Sequence, residues 1–278
     1  MKKNILFTNL QAVTAKRSIL LFIIMISTAF LFNACKSNST SSNPASGPGS
    51  SYFPNGNGSS YKYSVTKTDS SGNQQSGTRS STYSGTTTFN GTVYQNEIDT
   101  LDFGGVSAVT NSLFIKSGDS VMFAVDTSGL SEAIPAQYFQ YITLSTALKV
   151  FQFPFEANKS WQVFNVGLNL SGLSLQIVSV TGTYLDMEQV PLTLNTGSTT
   201  MNAAKIRYDF VLKMPTNPNN PLELTTTTYS AFAWIADNVG MIKMQGNGAI
   251  LDAFTGGGIN FADTTSVITQ SLISYSVK

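Results

Sequence analysis

From residue 61 onward, apolar and polar positions alternate with a period of two. That spacing puts successive side chains on opposite faces of a β-strand. The clearest run is 205–214, KIRYDFVLKM: Ile206, Tyr208, Phe210, Leu212 and Met214 share one face, and Lys205, Arg207, Asp209 and Lys213 share the other. This is the signature of a half-buried strand. Segments 61–68, 112–118, 120–126, 160–170, 173–185 and 225–236 are rich in Val, Thr and aromatics and bounded by turn formers, which predicts further strands. Hairpin signals stand at Asn90-Gly91, Ser117-Gly118-Asp119, Asp237-Asn238 and Gly246-Asn247-Gly248. The pattern predicts about ten to twelve mostly antiparallel strands. One helix is expected over 131–143, with Ser131 as N-cap and Pro135 early enough to be tolerated. Residues 215–221, PTNPNNP, read as a long rigid loop.

One internal echo interrupts this regularity. YFPNGNGSSYKYSV (52–65) and FQFPFEANKSWQVF (151–164) each place an aromatic-Pro pair shortly before Ser-aromatic and a strand. A single pair without a fixed period is weak support for a repeat. It reads first as two loop-to-strand approaches that share a packing device, and second as a duplicated half.

The N-terminus follows another pattern. Lys2, Lys3, Lys16 and Arg17 precede an apolar run over 18–31, and no acidic residue occurs in 1–35. A positive flank, a short apolar run and the small Ala34 make up a secretory signal peptide over 1–34, cut between Ala34 and Cys35. A membrane-spanning helix needs about 20 apolar residues, and Asn33 interrupts this run. Residues 36–60 are Ser/Gly/Asn/Pro-rich and cannot bury enough apolar surface to offset ordering, which predicts a flexible tether before a single β domain over 61–278.

Cys35 is the only cysteine in 278 residues. Leu31-Phe32-Asn33-Ala34-Cys35 resembles the lipobox of bacterial lipoproteins, in which the cysteine after a small residue is lipidated and becomes residue one. The resemblance implies a membrane anchor at Cys35, since several acyl chains at about 0.8 kcal/mol per buried methylene hold a protein stably. Lys36, where an inner-membrane protein would have Asp, implies the outer membrane, facing the periplasm.

Composition narrows the chemistry. There is no histidine, so Ser-His-Asp and Cys-His arrangements and His-based metal sites are excluded. The formal charge of +1 becomes −3 once the four basic residues of the leader are removed, and no basic cluster offers a nucleic-acid surface. Gly256-Gly257-Gly258 reads as a hairpin loop. Glu97, Asp99 and Asp102 form the densest acidic group, with Glu97 and Asp99 on one strand face and Asp102 on the other. A solvated edge is expected there, and no metal or other cofactor. Paired carboxylates could serve glycoside hydrolysis if the fold brought them together, for instance Glu156 with Asp186 or Glu188. Nothing local supports it, and the chain is read as non-enzymatic.

Three segments resemble a group of exported lipoproteins from the Bacteroidetes-Chlorobi lineage. They are Tyr52-Phe53-Pro54 with Tyr61-Lys62-Tyr63, Val190-Pro191 with Ala203-Ala204-Lys205-Ile206-Arg207-Tyr208, and Ala233-Trp234-Ile235-Ala236-Asp237-Asn238-Val239-Gly240-Met241-Ile242-Lys243. The resemblance implies a LolA/LolB-like architecture: a large curved antiparallel sheet or unclosed barrel with one or two short helices. A β-sandwich is the alternative. Two functions follow as expectations. One is a binding module for an apolar ligand or a protein partner, with Trp161, Tyr208, Phe210, Phe232 and Trp234 as candidate lining. The other is a structural or adhesive envelope protein with a filled core. Phe232 and Trp234 share a strand face, and a core position is expected for both.

Overall fold

The computed structural model describes residues 49–125, 140–170, 173–217, 220–248, 251 and 265–278. Among them thirteen strands form one antiparallel sheet: β1 (Ser60–Thr68), β2 (Gln74–Phe89), β3 (Thr92–Phe103), β4 (Val106–Ser117), β5 (Ser120–Ala124), β6 (Ile142–Leu144), β7 (Ala147–Gln152), β8 (Ser160–Leu170), β9 (Leu173–Leu194), β10 (Gly197–Asn217), β11 (Asn220–Ala236), β12 (Gly240–Asn247) and β13 (Val267–Ser276). Their order is β6-β8-β9-β10-β11-β12-β13-β1-β2-β3-β4-β5-β7. The fold is therefore the curved, unclosed sheet and not the sandwich. A twisted sheet of this many strands must curl to bury one face.

Local signals place most turns. Asn90 and Gly91 both take positive φ (49° and 76°), as a two-residue hairpin of the primed type requires. Asn238 and Gly240 both take left-handed conformations in the β11–β12 turn. Three expectations fail. The helix over 131–143 is overturned at its end, where Ile142–Leu144 is a strand paired with Val166–Leu168; its earlier part, 131–139, lies outside the described residues. Gly246 and Asn247 are not a hairpin tip: they pair with Ile268 and Val267 inside the sheet. Their glycine serves close approach, since a Cβ on Gly246 would lie 2.5 Å from the Ala231 Cα. PTNPNNP is not a long loop either, because β10 runs to Asn217 and β11 starts at Asn220. Prolines disfavour central strands, but here they sit at the ends of paired strands, where they are tolerated.

The echo extends well beyond a packing device. Ser59 N donates to Gly56 O and Lys159 N to Glu156 O, both at 2.9 Å. Gly58 N donates to Tyr83 O (2.8 Å) and Asn158 N to Tyr184 O (2.9 Å). Tyr83 N returns to Ser59 O (2.9 Å) and Tyr184 N to Lys159 O (3.1 Å). Gly58 and Asn158 share a left-handed backbone, at φ 88° and 61°. Each set opens a meander of six strands, β1-β2-β3-β4-β5-β7 and β8-β9-β10-β11-β12-β13. In both halves the connection between the fifth and sixth strands is the long one. β2 and β9 each carry a bulge just after the equivalent Tyr83 and Tyr184. This agreement in bonds, order and connection lengths favours the duplicated half.

The two aromatic-Pro segments meet at one end of the barrel. The Phe53 ring lies 5.9 Å from Tyr83, 5.3 Å from Phe114 and 5.9 Å from Phe151. Tyr52 contacts Phe155 at 5.1 Å. The C-terminus joins them, with Lys278 N donating to Ser59 Oγ at 3.0 Å. At the other end Leu251, fully buried, packs with Val65, Ala231 and Ile268. Between these ends the interior is filled by Tyr61, Tyr63, Tyr83, Phe151, Trp161, Ile206, Tyr208 and Leu272. Gly246→Ala is expected to push β11 and β12 apart and to lower stability by about 1–3 kcal/mol, measured as a drop in the urea midpoint at unchanged slope.

Candidate functional site

Three side-chain groups hold the chemistry that the described residues offer. The first lies inside the barrel. β1 and β2 pair Tyr63 with Arg79 and Tyr61 with Ser81, while β2 and β3 pair Ser81 with Asp99 and Tyr83 with Glu97. These residues share the inward face, so Glu97 and Asp99 are buried (5% and 6% exposed) and do not form the solvated edge expected from sequence. Asp102 is exposed on the opposite face. Arg79 supplies the reason. Its Nε and Nη2 donate to Asp99 Oδ1 and Oδ2, both at 2.9 Å, and its Nη2 lies 3.5 Å from Glu97 Oε1. Its guanidinium carbon stands 5.5 Å above the Tyr63 ring, within cation–π range.

This group holds one guanidinium against two carboxylates, and charge balance decides the protonation. Ser81 Oγ donates to Glu97. Burial, reinforced by the neighbouring Asp99 and opposed by Arg79, pushes the Glu97 carboxyl up to about 8. Gln270, fully buried, accepts from Arg79 Nη1 at 3.5 Å through its Oε1, and its Nε2 has no partner among the described residues. Both carboxylates are thus buried against one guanidinium and do not face solvent.

The second group lies where the sheet fails to close. Trp161 and Tyr208 are both buried, edge to face at 6.4 Å. Trp161 Nε1 donates to Lys149 O (3.0 Å) and Tyr208 Oη to Val150 O (2.9 Å). Both acceptors belong to β7, whose Val150 is the extra residue of a bulge against β5. Gly182 receives the indole: a Cβ there would lie 2.5 Å from Trp161 Cε2. Phe210 continues the Tyr208 face, half-buried, with its ring 6.2 Å from Tyr229.

The third group holds Trp234, buried, and Phe232, half-buried, on the sheet face opposite the barrel interior. Cross-strand pairing sets Trp234 between Lys205 and Lys243, and Phe232 opposite Arg207. These aromatics therefore occupy the outer face, while Ala231, Ala233 and Ile235 face inward with Tyr208, Ile206 and Ala204. Trp234 is nonetheless only 4% exposed. The end of the β9–β10 hairpin covers it: Asn195 N donates to Ile273 O on β13 at 2.8 Å. To reach β13 from β10 the hairpin crosses three strand spacings, roughly 14 Å of sheet. Val190 and Leu192 are buried in the same apolar cluster as Trp234. The indole donates to Glu188 Oε2 (3.0 Å), Lys205 Nζ lies 2.9 Å from that oxygen, and the Lys205 and Lys243 ammoniums stand 5.1 and 4.8 Å from the ring.

The carboxylates considered for hydrolysis are occupied singly. Glu156 pairs with Lys159 at 3.1 Å on the surface, and Asp186 is exposed. The indole hydrogen bond and Lys205 hold the Glu188 carboxyl below its ordinary range, the opposite of what a general acid needs. Among the described residues no three Asp, Glu, Cys or His side chains gather to hold a metal. Ala34, Cys35 and Gly256–Gly258 lie outside the described residues. A shallow depression between Pro191–Thr193 and Ser198–Thr200 is open to solvent and carries no charge.

Fold and sites together define a large, unclosed antiparallel sheet with an aromatic-rich core among the described residues. No family model matches the chain, and no curated protein does. Two solved structures are similar to it. One is a "putative exported protein with YmcC-like fold" from Bacteroides fragilis NCTC 9343, at 12% identity and TM-score 0.42, covering 81% of this chain and 98% of the other. The second is a "putative lipoprotein" from Parabacteroides distasonis ATCC 8503, at 13% identity and TM-score 0.40, with coverage of 81% and 98%.

Two outcomes test these sites. Glu97 is held above its ordinary value of 4.5, so the folded state binds the extra proton between that value and about 8. Its contribution is fully present below that window and is lost as pH rises through it. Glu97→Gln is therefore expected to gain stability relative to wild type from pH 5 to pH 9, read from denaturant midpoints across pH. Trp234→Ala removes a buried ring and is expected to lose about 3–5 kcal/mol, with faster amide exchange at Asn195 as the hairpin end lifts.

Proposed function

We propose that this chain is a non-catalytic protein of the cell envelope, lipidated at Cys35, held at the outer membrane facing the periplasm, and acting as a structural or protein-contact module. One observation carries the contact reading: three of the five rings offered by the sequence as ligand lining are buried and hydrogen-bonded. Trp161 and Tyr208 bond to the β7 backbone, and Trp234 lies under the β9–β10 hairpin. Ligand cavities keep a concave, largely preformed space, whereas this interior packs aromatic against aromatic. The unclosed sheet suits a LolA/LolB-like architecture, and the aromatic contacts among the described core residues support a closed resting state. A second reading, an apolar-ligand module, is favoured by one feature, the missing ladder between β7 and β8.

Native mass spectrometry of the full-length protein extracted from membranes tests both. The expected mass is that of an acylated chain beginning at Cys35 without further lipid, and Cys35→Ala should abolish fatty-acid labelling. A stoichiometric non-covalent lipid would reverse the order of the two readings. Labelling retained in Cys35→Ala would remove the anchor.

A further inference from the structure

The two six-stranded halves meet at two junctions, and only one is zipped. β1 and β13 pair continuously from Ser60↔Ser276 to Thr68↔Val267, with one bulge. The equivalent junction, the last strand of the first half against the first strand of the second, is β7 against β8, and no ladder joins them. β6 pairs with the β8 edge at Val166–Leu168, and flanking backbone bonds extend its cover from Asn165 to Asn169. At Ser145 the chain leaves that edge, with Ser145 N donating to Asn165 O at 3.2 Å. One residue later Thr146 O accepts from Val125 N (3.2 Å), and the chain continues as the partner of β5. β7 and β8 thus diverge from a shared corner.

Two side chains bridge the divergence. Trp161 and Tyr208 cap the successive carbonyls Lys149 O and Val150 O that the β7 bulge turns toward them. Every other neighbouring pair of strands in the sheet is joined through backbone hydrogen bonds. Leu148 and Val150 of β7 and Val163 and Phe164 of β8 belong to one apolar cluster, and the Lys149 ammonium is turned aside to Gln152 Oε1 at 2.9 Å. Behind the joint lies the aromatic interior.

We infer that the β7–β8 seam is a lateral gate, latched by Trp161 and Tyr208, at which the barrel parts to admit an apolar chain to its core. The joint stands on its own geometry; what passes through it rests on the second reading above. Rotation of the Trp161 indole off Gly182 and release of the Tyr208 hydroxyl free both carbonyls, and no backbone ladder has to break.

The test uses the mature chain from Cys35 carrying Cys35→Ser, which alters no described residue, and compares it with the same chain bearing Tyr208→Phe. Hydrogen exchange is read at 147–152, 60–68 and 267–276, and association with cis-parinaric acid is followed by fluorescence. The gate predicts that Tyr208→Phe speeds exchange in β7 about tenfold, leaves β1 and β13 unchanged, and speeds parinarate association by a similar factor. Trp161→Phe, which keeps a ring but removes the other latch, should act in the same direction. Exchange in β7 that is indifferent to both substitutions overturns the gate. Parinarate that binds at a rate indifferent to both also overturns it, while leaving the apolar-ligand reading intact. Accelerated exchange with no parinarate bound overturns that reading, and with it the passage of an apolar chain.

Discussion

Backbone hydrogen-bond satisfaction at the two edges of one long sheet is the constraint on which this structure depends. Each strand edge carries N–H and C=O groups that cannot be buried unpaired. A thirteen-strand sheet that curls on itself brings its two edges together, and here one short stretch of chain serves both. β6 pairs with β8, β7 pairs with β5, and Ser145-Thr146 links them. Where the backbone cannot reach, side chains do, which explains why a Trp and a Tyr end up bonded to carbonyls and not to solvent. The placement of Gly182 follows, since only a residue without a side chain leaves room for the indole.

The same logic of satisfaction governs the interior charges. Arg79 is buried with two carboxylates, and the geometry is bidentate to Asp99. That choice leaves Glu97 the weaker share of the positive charge and lets burial dominate its protonation. On the outer face, a charged pair plays a different part. Lys205 and Glu188 clasp the Trp234 indole and help hold the β9–β10 hairpin across the sheet. The bulge on β13 at Ile273 contributes by turning out the carbonyl that Asn195 takes. Bulges at β7, β9 and β13 are thus the points where strands are redirected and side groups recruited.

Repetition gives the fold its economy and its asymmetry. Two halves open with an aromatic-Pro pair, a left-handed residue at the same place and the same pair of backbone hydrogen bonds to a tyrosine. If both junctions were equivalent, the barrel would be closed. The first half instead diverts its chain through β6 before β7, and this detour takes up part of the edge that β7 would otherwise meet. One junction is therefore continuous and the other is bridged.

Much of the local structure was legible in the residues. The period-two run over 205–214 is a strand with Ile206, Tyr208 and Leu212 buried, and Asn90-Gly91 and Asp237-Asn238 turn where their backbone preferences say. A mostly antiparallel β domain was also within reach of the strand density, whereas the large curved, unclosed sheet was what the resemblance to exported lipoproteins implied. What the alternation could not reveal was which face is inside. It put Glu97 with Asp99 and Phe232 with Trp234 correctly on shared faces, yet the first pair faces the barrel interior and the second the opposite face of the sheet, where Trp234 is nonetheless buried. Period two is a relative statement, and its sign is set by cross-strand register with residues far away in sequence: Arg79 for the acids, Lys205 and Lys243 for the aromatics. PTNPNNP and Gly246-Asn247-Gly248 carry turn chemistry, but their partners across the sheet kept them in strands. Local composition determined where strands run and mostly where they bend. Long-range pairing alone decided which side chains are core, which are clasp, and where the barrel stays unzipped.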